Sequence, residues 1–368
     1  MKTACILLRN ENERLSEIGY SAVLDEFLKS GFPVSEIRLL SDHDDLPLKT
    51  ALNALKNEYS LLVVLTRKAL LTSVRESLLR ELKTNDLIQD ATGATVFSSE
   101  NGTVVLSSFD DKEKSVSYVT DTCVPYLQKR FGVAFDRVVL RTVGANEMLV
   151  KDLISQATAQ GNGSIRFVYS QNYDEGVIEI LYDGTASKRL VDGVVGAFAE
   201  QLSDSLYAVD DTPLETRLVE LLKLRGKKIS VAESFTGGGI GRRISSASGA
   251  SSVYFEGLNT YNETSKMKRL GVQAYTLNMS GAVSDKTAYE MAVGLLDSGD
   301  CDISVSTTGI AGPNSDRSGA PVGLCFIGVG TKEKVYVYRY RFDGTRKDIC
   351  EKAINYALFL AYKHLKKE

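Results

Sequence analysis

Histidine is nearly absent from this chain. Its 368 residues hold two, His43 in the acidic turn SDHDD and His364 in the charged tail YKHLKKE. Any Ser-His or Cys-His mechanism would have to use one of them. His364 reads as a solvated helix end, and His43 as a surface turn, although Asp42, Asp44 and Asp45 could join it around a metal. The scarcity turns the search for a general base toward lysine. Five cysteines, at 5, 123, 301, 325 and 350, show no C-x-x-C spacing and read as reduced packing residues. No apolar run approaches the roughly 20 residues of a membrane span; Leu61 to Leu65 is one of the clean stretches, and it is only a strand's length. The start MKTACILLRN turns charged too soon for a signal peptide, so a cytoplasmic location is expected. A net charge of −3 gives no electrostatic reason to expect nucleic acid as a partner.

What is present is ample apolar content, 43% of residues, in a length suited to two or three domains. The first 132 residues alternate strand-like and helix-like patterns: TACILLR, an apolar-periodic stretch from Leu15 to Phe32, EIRLLS, a helix over about Leu46 to Lys56, and SLLVVLT. That rhythm predicts βαβ units and a doubly wound α/β sheet. Residues 133–210 read as a small α+β module, with strands at VVLRTVG, SIRFVYS and VIEILYD and helices around Leu149 to Gln156 and Lys188 to Leu206. A third domain, α/β, occupies 211–368. Its first helix is expected to start with Thr212 as cap, Pro213 in the first turn and Glu215 closing a capping box, and to stop at Gly226.

In that third domain KKISVAESFTGGGIGRRIS reads as a strand, a polar exit at Glu233 and Ser234, a glycine run, and a helix from Gly238 or Gly239. The junction puts Ser234 at the positive end of a helix, and glycines 237 to 239 offer backbone N–H groups to an anion or developing oxyanion. The stretch fits neither common nucleotide-binding glycine motif, and a tight turn is the plain alternative. About thirty residues on, GLNTYNETSKMKRLG brings Tyr261 and Lys266 five apart at a helix start. An exposed lysine there would be a solvated charge. A buried one would lose proton affinity and could take the proton of a serine hydroxyl, with tyrosine orienting or relaying it. DISVSTTGIAGP is a further strand running into small residues, Thr308 and Gly309 among them, at a strand's carboxyl end.

Together and in this order, these segments resemble the CinA family. AESFTGG is similar to that family's AESCTGG and TYNETSK stands where TYSNEAK usually does; SGAVS, TGIAGP, PVG and FDGTRKDI follow in the family's order. The resemblance implies an α/β CinA deamidase domain over 211–368, a KH-like module before it, and a molybdopterin-binding-like domain at the front. It also implies hydrolysis of the carboxamide of nicotinamide mononucleotide, with Ser234 as nucleophile, Lys266 as base and Tyr261 as assisting hydroxyl. Thr236, Gly237, Gly238, Ser251, Thr308, Gly309 and Arg346 are the expected substrate-binding residues, Arg346 forking onto the phosphate. A small pyridine nucleotide is the expected partner and a homodimer the expected assembly; neither cofactor nor metal is called for. Phe235 departs from the family's cysteine, residues 262 to 265 differ from SNEA, and NSDRSGA lacks the usual DGG. At the front, LLRNENERL and RKALLTSV lack the glycines and carboxylates linked to ADP-ribose hydrolysis, so 1–132 is expected to be a degenerate, non-hydrolytic version. The competing reading is a catalytically silent nucleotide-binding or protein-interaction module.

Overall fold

In the computed structural model the described residues are 2–14, 19–42, 45–84, 86–99, 102–133, 135–315 and 319–367. His43 and Asp44 lie outside them, so the possible metal turn is not described further. The contacts divide the chain into two compact units, Met1–Arg137 with Leu181–Ser187 and Val138–Ile180 with Lys188–Glu368. One sheet falls in each of the three segments read from the sequence.

The first sheet contains β1 (Thr3–Arg9), β2 (Val34–Ser41), β3 (Leu61–Thr66), β4 (Asp86–Gln89), β5 (Thr95–Ser99) and β6 (Gly102–Ser108). Its order is β2-β1-β3-β6-β5-β4, with the first four strands parallel and β5 and β4 antiparallel. Every residue of β3 is buried, which is the signature of a parallel strand covered on both faces. Alternation along β1 divides the core: Cys5 and Leu7 join α1 (Tyr20–Lys29) and the segment holding α4 (Lys112–Tyr118) and α5 (Val124–Phe131), while Ala4, Ile6 and Leu8 join α2 (Asp45–Leu55) and α3 (Leu71–Leu82). The doubly wound expectation thus holds. Arg9, at the carboxyl end of β1, donates to the carbonyls of Asn10, Glu11 and Glu13 at 3.2, 3.3 and 2.7 Å, and Arg67 after β3 pairs with Glu13. The loop where an open α/β sheet receives ligands is therefore held by the chain's own cations.

The second sheet, ordered β10-β7-β9-β8, comprises β7 (Phe135–Val143), β8 (Ile165–Asn172), β9 (Glu175–Asp183) and β10 (Leu206–Ala208), with helices α6 (Glu147–Gly161) and α7 (Lys188–Gln201). The third is ordered β12-β11-β13-β14-β15: β11 (Ile229–Glu233), β12 (Tyr254–Asn259), β13 (Ile303–Gly309), β14 (Leu324–Gly330) and β15 (Val335–Arg341). Strands β11, β12 and β13 are parallel, and β14 and β15 antiparallel. On one face α8 (Leu214–Arg225), α9 (Gly239–Ser246) and α13 (Arg346–Lys367) cover Val231, Val305 and Ile327; on the other α10 (Glu263–Leu270), α11 (Ala274–Ser280) and α12 (Asp285–Asp297) cover Ala232. Because β12 and β13 lie on opposite sides of β11, the carboxyl ends of β11 and β13 form the switch point where such sheets bind ligands.

Two local expectations are corrected. Helix α8 begins at Leu214 with Pro213 as cap and no capping box: the Thr212 amide donates to Asp210, and Glu215 is drawn away to accept from Arg243. His364 is no solvated end. Its Nε2 lies 2.8 Å from the Tyr338 hydroxyl and its ring packs between Tyr336 and Tyr338 of β15. The stop at Gly226, with φ of 61°, is as expected.

Candidate active site

Ser234 leaves β11 at the switch point, its amide donating to the Thr307 carbonyl of β13 at 3.1 Å. Its hydroxyl lies 3.0 Å from Lys266 Nζ. Lys266 comes from the first turn of α10, capped by Asn262, whose side chain accepts from the Thr264 amide at 2.8 Å. The lysine is 1% exposed. A buried amine with no carboxylate bonded to it is penalised when charged, and burial pulls the Lys266 pKa down to about 8, outweighing the opposing charge of Glu263. Its other neighbours are the carbonyls of Thr260 at 2.7 Å and Tyr261 at 3.4 Å. A neutral amine has two N–H groups and one lone pair. With both N–H groups directed to these carbonyls, the lone pair faces the Ser234 hydroxyl, which is the arrangement a general base requires.

The glycine loop differs from the expectation of free amides. Glu233, 2% exposed, turns its carboxylate onto the start of α9 and accepts from the amides of Gly238, Ile240 and Gly241 at 3.0, 3.1 and 2.9 Å. Gly237 and Gly239 donate to the carbonyls of Ser234 and Thr236. The positive end of the helix is therefore already neutralised by a carboxylate of the same loop. Gly237 and Gly238 are needed for their φ of 62° and 93°. The amides of this loop left without an acceptor among the described residues are those of Phe235 and Thr236, directly after Ser234.

The remaining expected site residues separate into three groups. Thr236, Thr308 and Gly309 surround the site as structural ties. The Thr236 hydroxyl is bonded to that of Thr307 at 2.8 Å, Thr308 donates to the Ala282 carbonyl at 2.6 Å, and a Cβ on Gly309 would meet Cys325 at 2.5 Å and Phe235 at 2.9 Å. Tyr261 and Arg346 meet at the rim. Tyr261 is 59% exposed, and its hydroxyl accepts from Arg346 Nη2 at 2.9 Å while Arg346 Nη1 donates to the Gly312 carbonyl at 2.7 Å. Tyrosine thus reaches Lys266 through its carbonyl, not through the expected hydroxyl relay. Ser251 is elsewhere. It lies exposed on the short turn Ala250–Ser252 before β12, beside the start of β11 and at the opposite end of the sheet from Ser234. Its position after a glycine-flanked helix end gave no hint of which sheet end it would occupy.

Sequence reasoning missed Glu233, Thr260 and Thr307. A carboxylate at the last position of a buried strand, five residues before the glycine that caps the next helix, was the available signal for the first. Phe235 enters an apolar cluster with Ala311, Cys325, Phe342, Ile349 and Ala353. Among the described residues no group of three His, Cys, Asp or Glu is placed to hold a metal, and no helix is long and apolar enough to cross a membrane.

Residues 211–365 match the family model described as the CinA C-terminal domain. Over these residues the chain belongs to the CinA family. Among relatives, a "Putative competence-damage inducible protein" of Caldicellulosiruptor saccharolyticus is 36% identical over 240 residues, 64% of this chain and 58% of its own length. A "CinA-like protein" of Kosmotoga olearia is 35% identical over 251 residues, 67% of this chain and 60% of its own. The match thus spans about three fifths of each of these relatives. The crystal structure of a "competence/damage inducible protein CihA" from Agrobacterium tumefaciens is 34% identical with a TM-score of 0.40, covering 42% of this chain and 93% of its own.

Proposed function

We propose that this CinA homologue hydrolyses the carboxamide of nicotinamide mononucleotide to nicotinate mononucleotide and ammonia, through Ser234 and Lys266. The observation that carries the reading is a buried lysine 3.0 Å from a serine hydroxyl at the switch point, with a pKa brought down to about 8. In the first half-reaction neutral Lys266 takes the Ser234 proton as Oγ bonds to the carboxamide carbon. The oxyanion is received by the amides of Phe235 and Thr236. Collapse breaks the C–N bond, and the protonated lysine returns its proton to the departing nitrogen, which leaves as ammonia. Water then gives its proton to Lys266, attacks the acyl ester and releases the acid, restoring Ser234. Arg346, exposed at the rim with its fork shared between Tyr261 and Gly312, is positioned to exchange those partners for the substrate phosphate.

Residues 1–132 are read as a non-hydrolytic domain, a reading supported by the self-bonded Arg9 loop. The test of the main proposal is ammonia release from nicotinamide mononucleotide by the whole chain and by Ser234→Ala. Release that disappears in the variant is expected. No release from the folded wild-type chain would shift the reading to a silent binding module.

A further inference from the structure

The hairpin β8–β9 turns on Tyr173 and Asp174, both left-handed, with φ of 49° and 61°. Two adjacent residues with side chains in this region are costly, and such a turn persists where its surroundings over-determine it. Here they do. The Tyr173 carbonyl accepts from Asn355 Nδ2 at 2.9 Å, the Asp174 carbonyl from the Gly144 amide at 2.8 Å, and the Asp174 carboxylate lies 3.5 Å from Lys352 Nζ.

Asn355 is the informative partner. It sits 2% exposed on α13 among Ile354, Ala357 and Leu358, where an amide is tolerated only if both ends are bonded. Its other end, Oδ1, accepts from Arg243 Nη1 of α9 at 2.9 Å. One buried amide therefore joins the turn to two helices. Both border the candidate site. Helix α9 opens directly after the nucleophile loop, and the side chain of Ile354, next to Asn355, occupies the space a Cβ on Gly239 would need, 2.3 Å from it. Helix α13 begins at Arg346, and one turn later the Cys350 thiol donates to the Phe235 carbonyl at 3.3 Å.

We propose that the Tyr173–Asp174 turn, acting through Asn355, is a positioning element that fixes α9 and α13 about Ser234 and so sets the rate of the Ser–Lys chemistry. The inference rests on the Ser234–Lys266 reading for its catalytic consequence, but its structural half can be measured without it. Asn355→Asp is nearly isosteric: it keeps the acceptor for Arg243, whose guanidinium offsets the added charge, and turns the donor to Tyr173 into an oxygen that opposes the Tyr173 carbonyl. The variant is expected to remain folded, to exchange the amide hydrogens of residues 235–246 about tenfold faster, and to lose about tenfold in kcat with KM changed less than about twofold. A merely structural weakening would lower the melting temperature without that division between kcat and KM. Exchange and kcat both at wild-type values would overturn the proposal. If the wild-type chain releases no Ser234-dependent ammonia, the catalytic reading fails while the exchange comparison still decides whether the turn orders the loop. Should Asn355→Asp not fold, Asp174→Asn, which tolerates the left-handed backbone, removes the charge paired with Lys352 and leaves the Lys352 bond to the Asp343 carbonyl in place, is expected to raise exchange in the same segment about threefold, and unchanged exchange there would equally refute the idea.

Discussion

Turnover of nicotinamide mononucleotide is expected to rise about tenfold between pH 7 and pH 9 and then level off, because the working form of Lys266 is the neutral amine. Burial lowers its pKa to about 8. Roughly one tenth of the enzyme is then in the active form at pH 7, about half at pH 8 and about nine tenths at pH 9. A lysine left at its ordinary value would give a rate still climbing tenfold per pH unit at pH 9. The sign for stability follows from the same lowering. The folded chain binds fewer protons than the unfolded one between about pH 8 and the ordinary lysine value, so this group makes the fold more stable as pH rises through that window. At pH 7 the burial costs about 3 kcal/mol. Lys266→Met should therefore melt no lower than wild type at pH 7, while releasing no ammonia. Lys266→Arg keeps a charge that cannot be shed and should be inactive at every pH. Initial rates of ammonia release from pH 6 to 9.5, at saturating and at low substrate, make the measurement. A rate independent of pH over that range, or Lys266→Met at near-normal rate, would remove the lysine from the mechanism.

Other outcomes can be stated briefly. Glu233→Gln replaces a carboxylate that accepts from three amides with a group that can serve only some of them, and should cost about 2–4 kcal/mol in urea unfolding. Arg346→Ala should raise KM for nicotinamide mononucleotide by about 10- to 100-fold yet leave KM for the phosphate-free riboside nearly unchanged in the same ammonia assay. Phe235→Cys, which restores the residue usual in the resembled motif, should empty part of the cluster around Cys325 and Phe342 and lower stability by about 2–3 kcal/mol, with kcat changed little. A thermal melt beside the rate measurement distinguishes that result from a direct effect on the nucleophile.

Much of the site was legible because its determinants are local. Ser234 follows an apolar strand and precedes glycines, and Lys266 lies in the first turn of a helix, so spacing alone made them candidates. Their pairing was not local: it depends on β11 and β12 being adjacent parallel strands, with Thr260 bonded back to the Glu233 carbonyl. Only the fold could show that Lys266 is buried, and burial is what changes its proton affinity. Ser251 failed for a related reason, since a residue just before a parallel strand and one just after it differ by the strand's whole length in space. The glycine amides failed because a side chain one residue before Ser234, Glu233, folds back onto them.

The sequence by itself determined the alternation of strands and helices, the glycine-requiring turn after β11 and the family of the last domain, because periodicity, backbone freedom and short motifs are properties of neighbouring residues. The tertiary structure alone decided which hydroxyl faces the lysine, which amides remain for an oxyanion and which side chains are ties, because each depends on desolvation and hydrogen-bond competition between segments that meet only when the sheet assembles.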